Sequence, residues 1–281
     1  MINNKIVRTE HYLFTIALPI INTYPIKLRK EENMKRVSII LIGSLLVLSM
    51  LLSACSSQKS SSNTITVVTD PTFAPFESMD DKGNMVGLDI DLMNKIAEDA
   101  GLTVKWENVP FDSIIAGLTE CQYKASIAAI YIRDDRKKTM IFTDPYMTAG
   151  LIVAVNAKNT EVKSIDDLVG KTVAAQLGTS GEVKAQAIKN VTYKPYDSYE
   201  LAFMDLANGQ VDAVIADNPV AENYVKANPD KLKLVGDIFD AEPYGIAFCK
   251  TDTELRDKVN ASLNKLIKSG YVDELIKKYM Q

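Results

Sequence analysis

One histidine and three cysteines stand among the 281 residues of the chain. The histidine, His11, lies upstream of the first long apolar run, so a chain cut after that run holds no imidazole. Histidine general acid–base catalysis, Ser–His–Asp triads and histidine-held metals are then excluded. No catalytic residue, metal or other cofactor is expected. The cysteines, Cys55, Cys121 and Cys249, show no C-x-x-C spacing and do not read as a metal pair. Whether Cys121 and Cys249 can bridge is not written in their spacing, and free thiols are the expectation. Basic excess is missing too: 32 Lys and Arg stand against 36 Asp and Glu, a net charge of −4. That balance favours neither nucleic acid nor an anionic surface as the partner. What is present is ordinary for a folded chain, 47% hydrophobic and 24% charged, at a length that makes one or two domains.

The one extended apolar stretch, VSIILIGSLLVLSMLL at residues 37–52, follows Lys35-Arg36 and precedes Ser53-Ala54-Cys55. A basic start, an apolar middle and small residues before a cut describe a secretory signal. A membrane span needs ~17 to 25 apolar residues, and this run sits at the short edge. Leu52-Ser53-Ala54-Cys55 resembles the bacterial lipobox, which implies a diacylated Cys55 as the first residue of the mature protein. The expected organisation is therefore a signal peptide at 34–54 and a lipid-attached, serine-rich tether at 55–63, SSQKSSSN being flexible by composition. Residues 1–33 read as a mis-called upstream extension, with Met34 as the start. The expected location is the extracytoplasmic face of the bacterial cell membrane, held there by lipid alone.

From Thr64 onward strand and helix signals alternate. TITVVT at 64–69 is β-branched and short, and Leu92, Met93, Ile96, Ala97 and Ala100 form one helical face stopped by Gly101. ASIAAI reads as a buried strand, and VDAVIAD and KLKLVGD as later ones. Ser164-x-x-Asp167, Thr179-x-x-Glu182, Asp197-x-x-Glu200 and Thr251-x-x-Glu254 all place an acid three residues after a capping side chain. Such alternation argues an α/β class with largely parallel sheets. GLIVAVN at 150–156 and YGIAFCK at 244–250 are both extended and apolar, with about ninety residues of strands and helices between them. This is the pattern of a second lobe (151–245) inserted into a first (64–150 and 246–281), entered and left through two paired strands that act as a hinge. Arg133-Asp134-Asp135-Arg136, set between two apolar stretches, reads either as a solvated turn or as an arginine facing a cleft.

The stretches TDPTFAPFE, NMVGLDIDLMNKIAEDAG, VPFDSIIAGL, IRDDRKKTMIFTDPY, GKTVAAQLGTSGE, GQVDAVIADNPVAENYV and EPYGIAFCKTDTELRDKVN occur in that order over nearly the whole domain. Together they resemble the bacterial solute-binding proteins of the polar amino-acid type, the receptor subunits of ABC importers. The resemblance implies a two-lobed periplasmic-binding-protein-like fold with a ligand cleft between the lobes. A free amino acid needs a planar two-pronged donor for its carboxylate and acceptors for its ammonium. By position, Arg136 matches the family's carboxylate clamp, leaving Arg133 as a surface residue. Thr179 and Ser180, at a helix start, match residues that give hydroxyl and N–H contacts to the same carboxylate. Asp217 matches the aspartate that meets the ammonium. Ala128 and Ala129 match the strand end whose backbone faces the ligand, Phe73 and Phe111 two aromatics that sandwich its side chain, and Asp70 a contact to that side chain's polar end.

Five positions depart from the family pattern, Cys121 and Lys124 only in a turn that reads as surface variation. Tyr131 stands where serine or threonine is usual, Gln176 where some members carry lysine, and Ala216 where some carry a polar residue. Asp70 favours a side chain bearing donors, and Gln176 leans the choice toward a neutral one such as glutamine. The implied function is capture of a polar amino acid by hinge closure and its delivery to an ABC permease and, through it, to the ATPase subunit, by a monomer. The alternative is a cleft enzyme of the same fold, dehydrating a cyclic carboxylic acid, which needs a general acid of displaced pKa in the cleft.

Overall fold

The structure is a computed structural model that describes residues 63–280. Cys55, the expected signal at 34–54 and the segment 1–33 lie outside the described residues. The described residues fall within one compact unit, built around two five-stranded sheets.

The first sheet begins with β1 (Thr64–Thr69), whose alternation sends Val67 into one apolar cluster and Val68 into another. A small antiparallel flap follows, made of β2 (Thr72–Phe73), β3 (Glu77–Met79) and β4 (Met85–Val86). Helix α1 (Leu88–Ala100) buries Leu88, Leu92, Met93, Ile96 and Ala97 and ends at Gly101, whose φ of 62° suits a residue without Cβ. β5 (Thr103–Asn108) pairs parallel with β1, as does β6 (Ala125–Ser126) after α2 (Phe111–Thr119). The β5-β1-β6 core is thus parallel, but β13 (Ala247–Cys249) runs antiparallel to both β6 and β7 (Met140–Phe142). Helices α6 (Thr253–Ser269) and α7 (Tyr271–Tyr279) pack with α1 over the Val67 face.

The second sheet repeats the design. β9 (Thr172–Gln176), β10 (Thr192–Tyr196) and β11 (Ala213–Asp217) are mutually parallel, and α3 (Ser180–Ala187), α4 (Tyr199–Ala207) and α5 (Asn218–Ala227) connect or follow them. β8 (Met147–Asn156) and β12 (Leu232–Tyr244) complete it in antiparallel fashion. The expectation of largely parallel sheets is therefore corrected. The strands that carry the chain across must run back, so each sheet is half parallel and half antiparallel. The return strand is also longer than the stretch read from sequence: Tyr244 ends β12 in the second sheet, whereas Ala247–Cys249 lies in the first. Residues 143–146 and 245–246 cross between the sheets. ASIAAI keeps only Ala125–Ser126 as strand, and its remaining four residues are an irregular but buried segment leading to the cleft.

Two of the four expected caps move. Ser164 closes a capping box with Asp167, and Thr179 accepts from the N–H of Glu182. The next helix is capped by Ser198 rather than Asp197, because Ser198 is the extended residue whose hydroxyl reaches Leu201 N–H. Asp252, not Thr251, is the residue before α6, and it makes no side-chain cap.

Cys121 and Cys249 form a disulfide with Cα atoms 4.9 Å apart, which overturns the expectation of free thiols. β13 lies beside β6, and Cys121 sits in the turn leading into β6, so residues 128 apart in sequence become neighbours. Such a bond persists in an oxidising compartment.

Candidate functional site

The edges of the two sheets converge on a set of residues nearly all withdrawn from solvent. Asp70 follows β1 directly, Phe111 opens α2, and Ala128, Ala129 and Tyr131 follow β6. Across from them lie Gln176 at the end of β9, Thr179 and Ser180 at the start of α3, and Asp217 at the end of β11. Parallel strands make this convergence inevitable, since their carboxyl ends and the helix starts that follow share one edge.

Arg136 starts a single 3-10 turn and is 3% exposed. Its Nη1 donates to Tyr131 O at 3.1 Å and its Nη2 to Gly178 O, on the opposite lobe, at 3.0 Å, while Nε has no partner. The guanidinium carbon lies 5.6 Å from the centre of the Phe111 ring. Burial, with the neighbouring Arg133 charge, pushes the group down to about 10, so it stays charged at neutral pH. A buried cation that makes no ion pair among the described residues is ready for an anion.

Asp217, 2% exposed, accepts a hydrogen bond from the Tyr244 hydroxyl and caps nothing, although α5 begins beside it. Burial raises its carboxyl to about 7, against the opposing pull of Tyr244 and Arg136. An ammonium would reverse that rise. The Tyr131 ring lies 4.6 Å from Tyr244, and burial followed by the Asp217 charge raises its phenol. Its buried hydroxyl makes no direct hydrogen bond. The bulk that replaces serine or threonine thus lines the Asp217 side of the cleft.

At the other end, Asp70 accepts from Thr72 Oγ1 at 2.9 Å and from Gln176 Nε2, across the cleft, at 2.7 Å. Burial raises the Asp70 carboxyl. Gln176 donates also to Asp197 O at 3.0 Å, and its Oε1 is buried without a partner. Phe73 packs 5.6 Å from the Tyr199 ring of the opposite lobe. Gly178, at φ +78°, is so close to Asp112 that a Cβ would stand 2.9 Å from its Cα. Only glycine permits this approach of the lobes.

Several residues have different duties from those expected. Thr179 donates to Gln176 O at 2.7 Å and accepts from Glu182 N–H at 3.2 Å, so its hydroxyl is committed to the helix cap. The Ala129 N–H points away from the cleft to Asp89 Oδ2 at 2.8 Å. Arg133 is not a free surface residue: its Nη1 bonds Ser180 Oγ across the lobes at 2.9 Å, while Asp135 holds the rest of the guanidinium. A charged run hides this, because nothing in RDDR marks which arginine turns inward. Tyr199 and Tyr244 pack on the cleft residues Phe73 and Tyr131, while Tyr146, Asp89 and Glu77 are buried behind the Ala129 turn, and all five went unread. The glutamate of PFE and the aspartate of GLD look like ordinary surface acids until the fold buries them.

The sequence profile of the bacterial extracellular solute-binding proteins, family 3, matches residues 65–281. A relative from Escherichia coli K12, a putative ABC transporter arginine-binding protein, is 34% identical over 84% of this chain and 98% of its own. An ancestral arginine-binding protein bound to arginine superposes with a TM-score of 0.75 at 40% identity, over 78% of this chain and 99% of that one. An ancestral arginine-binding protein bound to glutamine gives 0.74 at 41%, over 77% and 97%.

Proposed function

Because the chain belongs to the bacterial extracellular solute-binding proteins, family 3, we propose that it is the substrate-binding lipoprotein of an ABC amino-acid importer. It captures a polar amino acid between its lobes and delivers it to the permease. The observation that carries this reading is Arg136, buried and without an ion pair among the described residues, with the buried Asp217 close enough to feel its charge. Those two groups complement the two charged ends of a free amino acid. Lipid anchorage at Cys55 and a monomeric state belong to the same proposal.

The side chain is chosen at Asp70. A cationic amino acid sets its carboxylate against Arg136, its ammonium against Asp217 and its side-chain charge against Asp70, leaving neither of these two aspartates uncompensated. A guanidinium also supplies enough N–H groups for both Asp70 and the unpartnered Gln176 Oε1. We therefore place arginine ahead of glutamine. Glutamine remains the second reading, because Gln176 is neutral and already donates to Asp70. The raised carboxyl of Asp217 is what a cleft general acid would need, and it favours the dehydratase alternative. Its hydrogen bond from Tyr244 and its place opposite Arg136 suit an ammonium better.

The test is isothermal titration of the domain from residue 61 onward with the twenty amino acids, beside a turnover assay on a prephenate-like acid. Binding of arginine above glutamine supports the reading, and glutamine above arginine selects the second. Turnover without amino-acid binding overturns both.

A further inference from the structure

We propose that Asp89 is a positioning residue for the ligand-facing turn: its carboxylate fixes the Ala128–Ala129 backbone and ties it to the crossing segment at Tyr146, with Glu77 beside it held as the uncharged acid. The proposal rests on the reading that this cleft binds an amino acid.

Asp89 lies in the first turn of α1 and is fully buried. One oxygen, Oδ2, accepts two hydrogen bonds, from Ala129 N–H at 2.8 Å and from the Tyr146 hydroxyl at 2.9 Å. Ala129 has a φ of +45°, a conformation that a residue with a Cβ keeps only where its surroundings over-determine it. The carboxylate is the group that holds it there, and Ala129 is the residue that turns the chain from β6 into the cleft toward Tyr131 and Arg136. Tyr146 occupies the segment between the two sheets. Its N–H bonds Tyr244 O at 3.1 Å, its ring stands 6.2 Å from the Tyr244 ring, and the Tyr244 hydroxyl bonds Asp217. Asp89 thus anchors one end of a connected series that reaches the ammonium side of the cleft.

Glu77 on β3 is fully buried, and neither of its oxygens meets a donor; Asp89 Oδ1 lacks one as well. The two side chains are within reach of each other, so a single proton on Glu77 supplies the missing donor to Asp89 Oδ1. Two adjacent buried carboxyls do not both ionise. The helix N-terminus and the two hydrogen bonds to Oδ2 assign the charge to Asp89. The other titratable groups that bear on the pair are Asp70 after β1, Asp217 at the end of β11 and Tyr146 itself, and the acids among them push Glu77 further toward its neutral form. Burial raises Asp89 to about 6 and Glu77 well above its ordinary value.

The experiment measures L-arginine and L-glutamine affinity of the domain from residue 61 onward between pH 5 and 8, for the native domain, Glu77→Gln, Asp89→Asn and Tyr146→Phe. In parallel, the Ala129 amide shift is followed by NMR across the same pH range without ligand. Glu77→Gln mimics the neutral acid and is expected to keep its affinity within about twofold, whereas Asp89→Asn weakens binding roughly tenfold, the scale of one charge-assisted hydrogen bond. The native affinity falls as the pH drops through about 6, and the Asp89-dependent part of that fall is absent in Asp89→Asn. If Asp89→Asn does not fold, Tyr146→Phe removes one of the two bonds and is expected to weaken binding a few-fold. The Ala129 amide titrates in step with Asp89. Equal losses in Glu77→Gln and Asp89→Asn, or an Ala129 amide indifferent to pH, overturn the proposal. Absence of binding by either amino acid, with a titrating Ala129 amide, overturns the functional reading and leaves the Asp89 assignment standing.

Discussion

Replacing Arg136 by methionine separates what the guanidinium does for the fold from what it does for the ligand. In the structure the side chain makes two hydrogen bonds to backbone carbonyls and no ion pair among the described residues. Burial has lowered its pKa from the ordinary arginine range to about 10, an electrostatic cost of roughly 3 kcal/mol. Methionine removes that cost but leaves Gly178 O without a donor, at ~1 to 3 kcal/mol, and takes one of two donors from Tyr131 O, which keeps the Arg133 N–H, at ~0.5 to 1.5 kcal/mol. The two effects nearly cancel, so the ligand-free melting temperature is expected to move by no more than about 6 °C, at ~2 to 4 °C per kcal/mol for a domain of this size. Binding has no such cancellation. The ligand carboxylate loses its buried partner at ~2 to 5 kcal/mol, so Kd rises about 30-fold to several thousandfold. Arg136→Lys keeps the charge and loses the planar fork, and lies between the two. Titration calorimetry with L-arginine, beside a thermal melt without it, reads both quantities. A Kd within threefold of the native value would falsify the clamp, and a collapse of the melt would show that Arg136 is structural first.

Asp70→Asn is expected to reverse the preference between arginine and glutamine, because it removes the charge opposite the ligand side chain; competition between the two amino acids reads this directly. The raised carboxyls of Asp217, to about 7, and Asp89, to about 6, make the folded state bind more protons than the unfolded state above about pH 4. The ligand-free domain should therefore lose stability as pH rises from about 4 to about 7, and Asp217→Asn should flatten that slope in pH-dependent melts. Arg133→Ala cuts the cross-lobe bond to Ser180 and is expected to speed ligand dissociation several-fold in stopped-flow measurements while Arg136 still binds. Reduction of Cys121–Cys249 is expected to cost ~2 to 4 kcal/mol in denaturant unfolding, since it frees a long loop in the unfolded chain.

Periodicity was enough to place most elements, because their apolar faces are simple: α1 lies where Leu92, Met93 and Ile96 repeat, and Gly101 ends it. The direction of the strands was not legible, since a buried strand reads alike whether its neighbour runs with it or against it. β8 and β13 are antiparallel for a topological reason that no local pattern carries. The motifs singled out Arg136 and Asp217, and the structure buries both, Asp217 at the end of β11 and Arg136 in a turn ahead of β7; their roles toward a ligand belong to the proposal. Their partners were not legible. Tyr244 belongs to a strand sequence-distant from Asp217, Arg133 reaches Ser180 only because the lobes meet, and the disulfide depends on a strand returning from the second lobe.

That return has a covalent consequence. Every residue from Arg136 through the whole second lobe to Ala247 lies inside the loop that Cys121 and Cys249 close. The second lobe is therefore a ring sewn into the first, not a bead on two threads. A protease that nicks any part of it cannot release a piece, and the cut protein keeps its full mass on a gel until the bond is reduced. For an extracytoplasmic solute-binding protein, a severed peptide bond in the second lobe leaves both halves joined through the first.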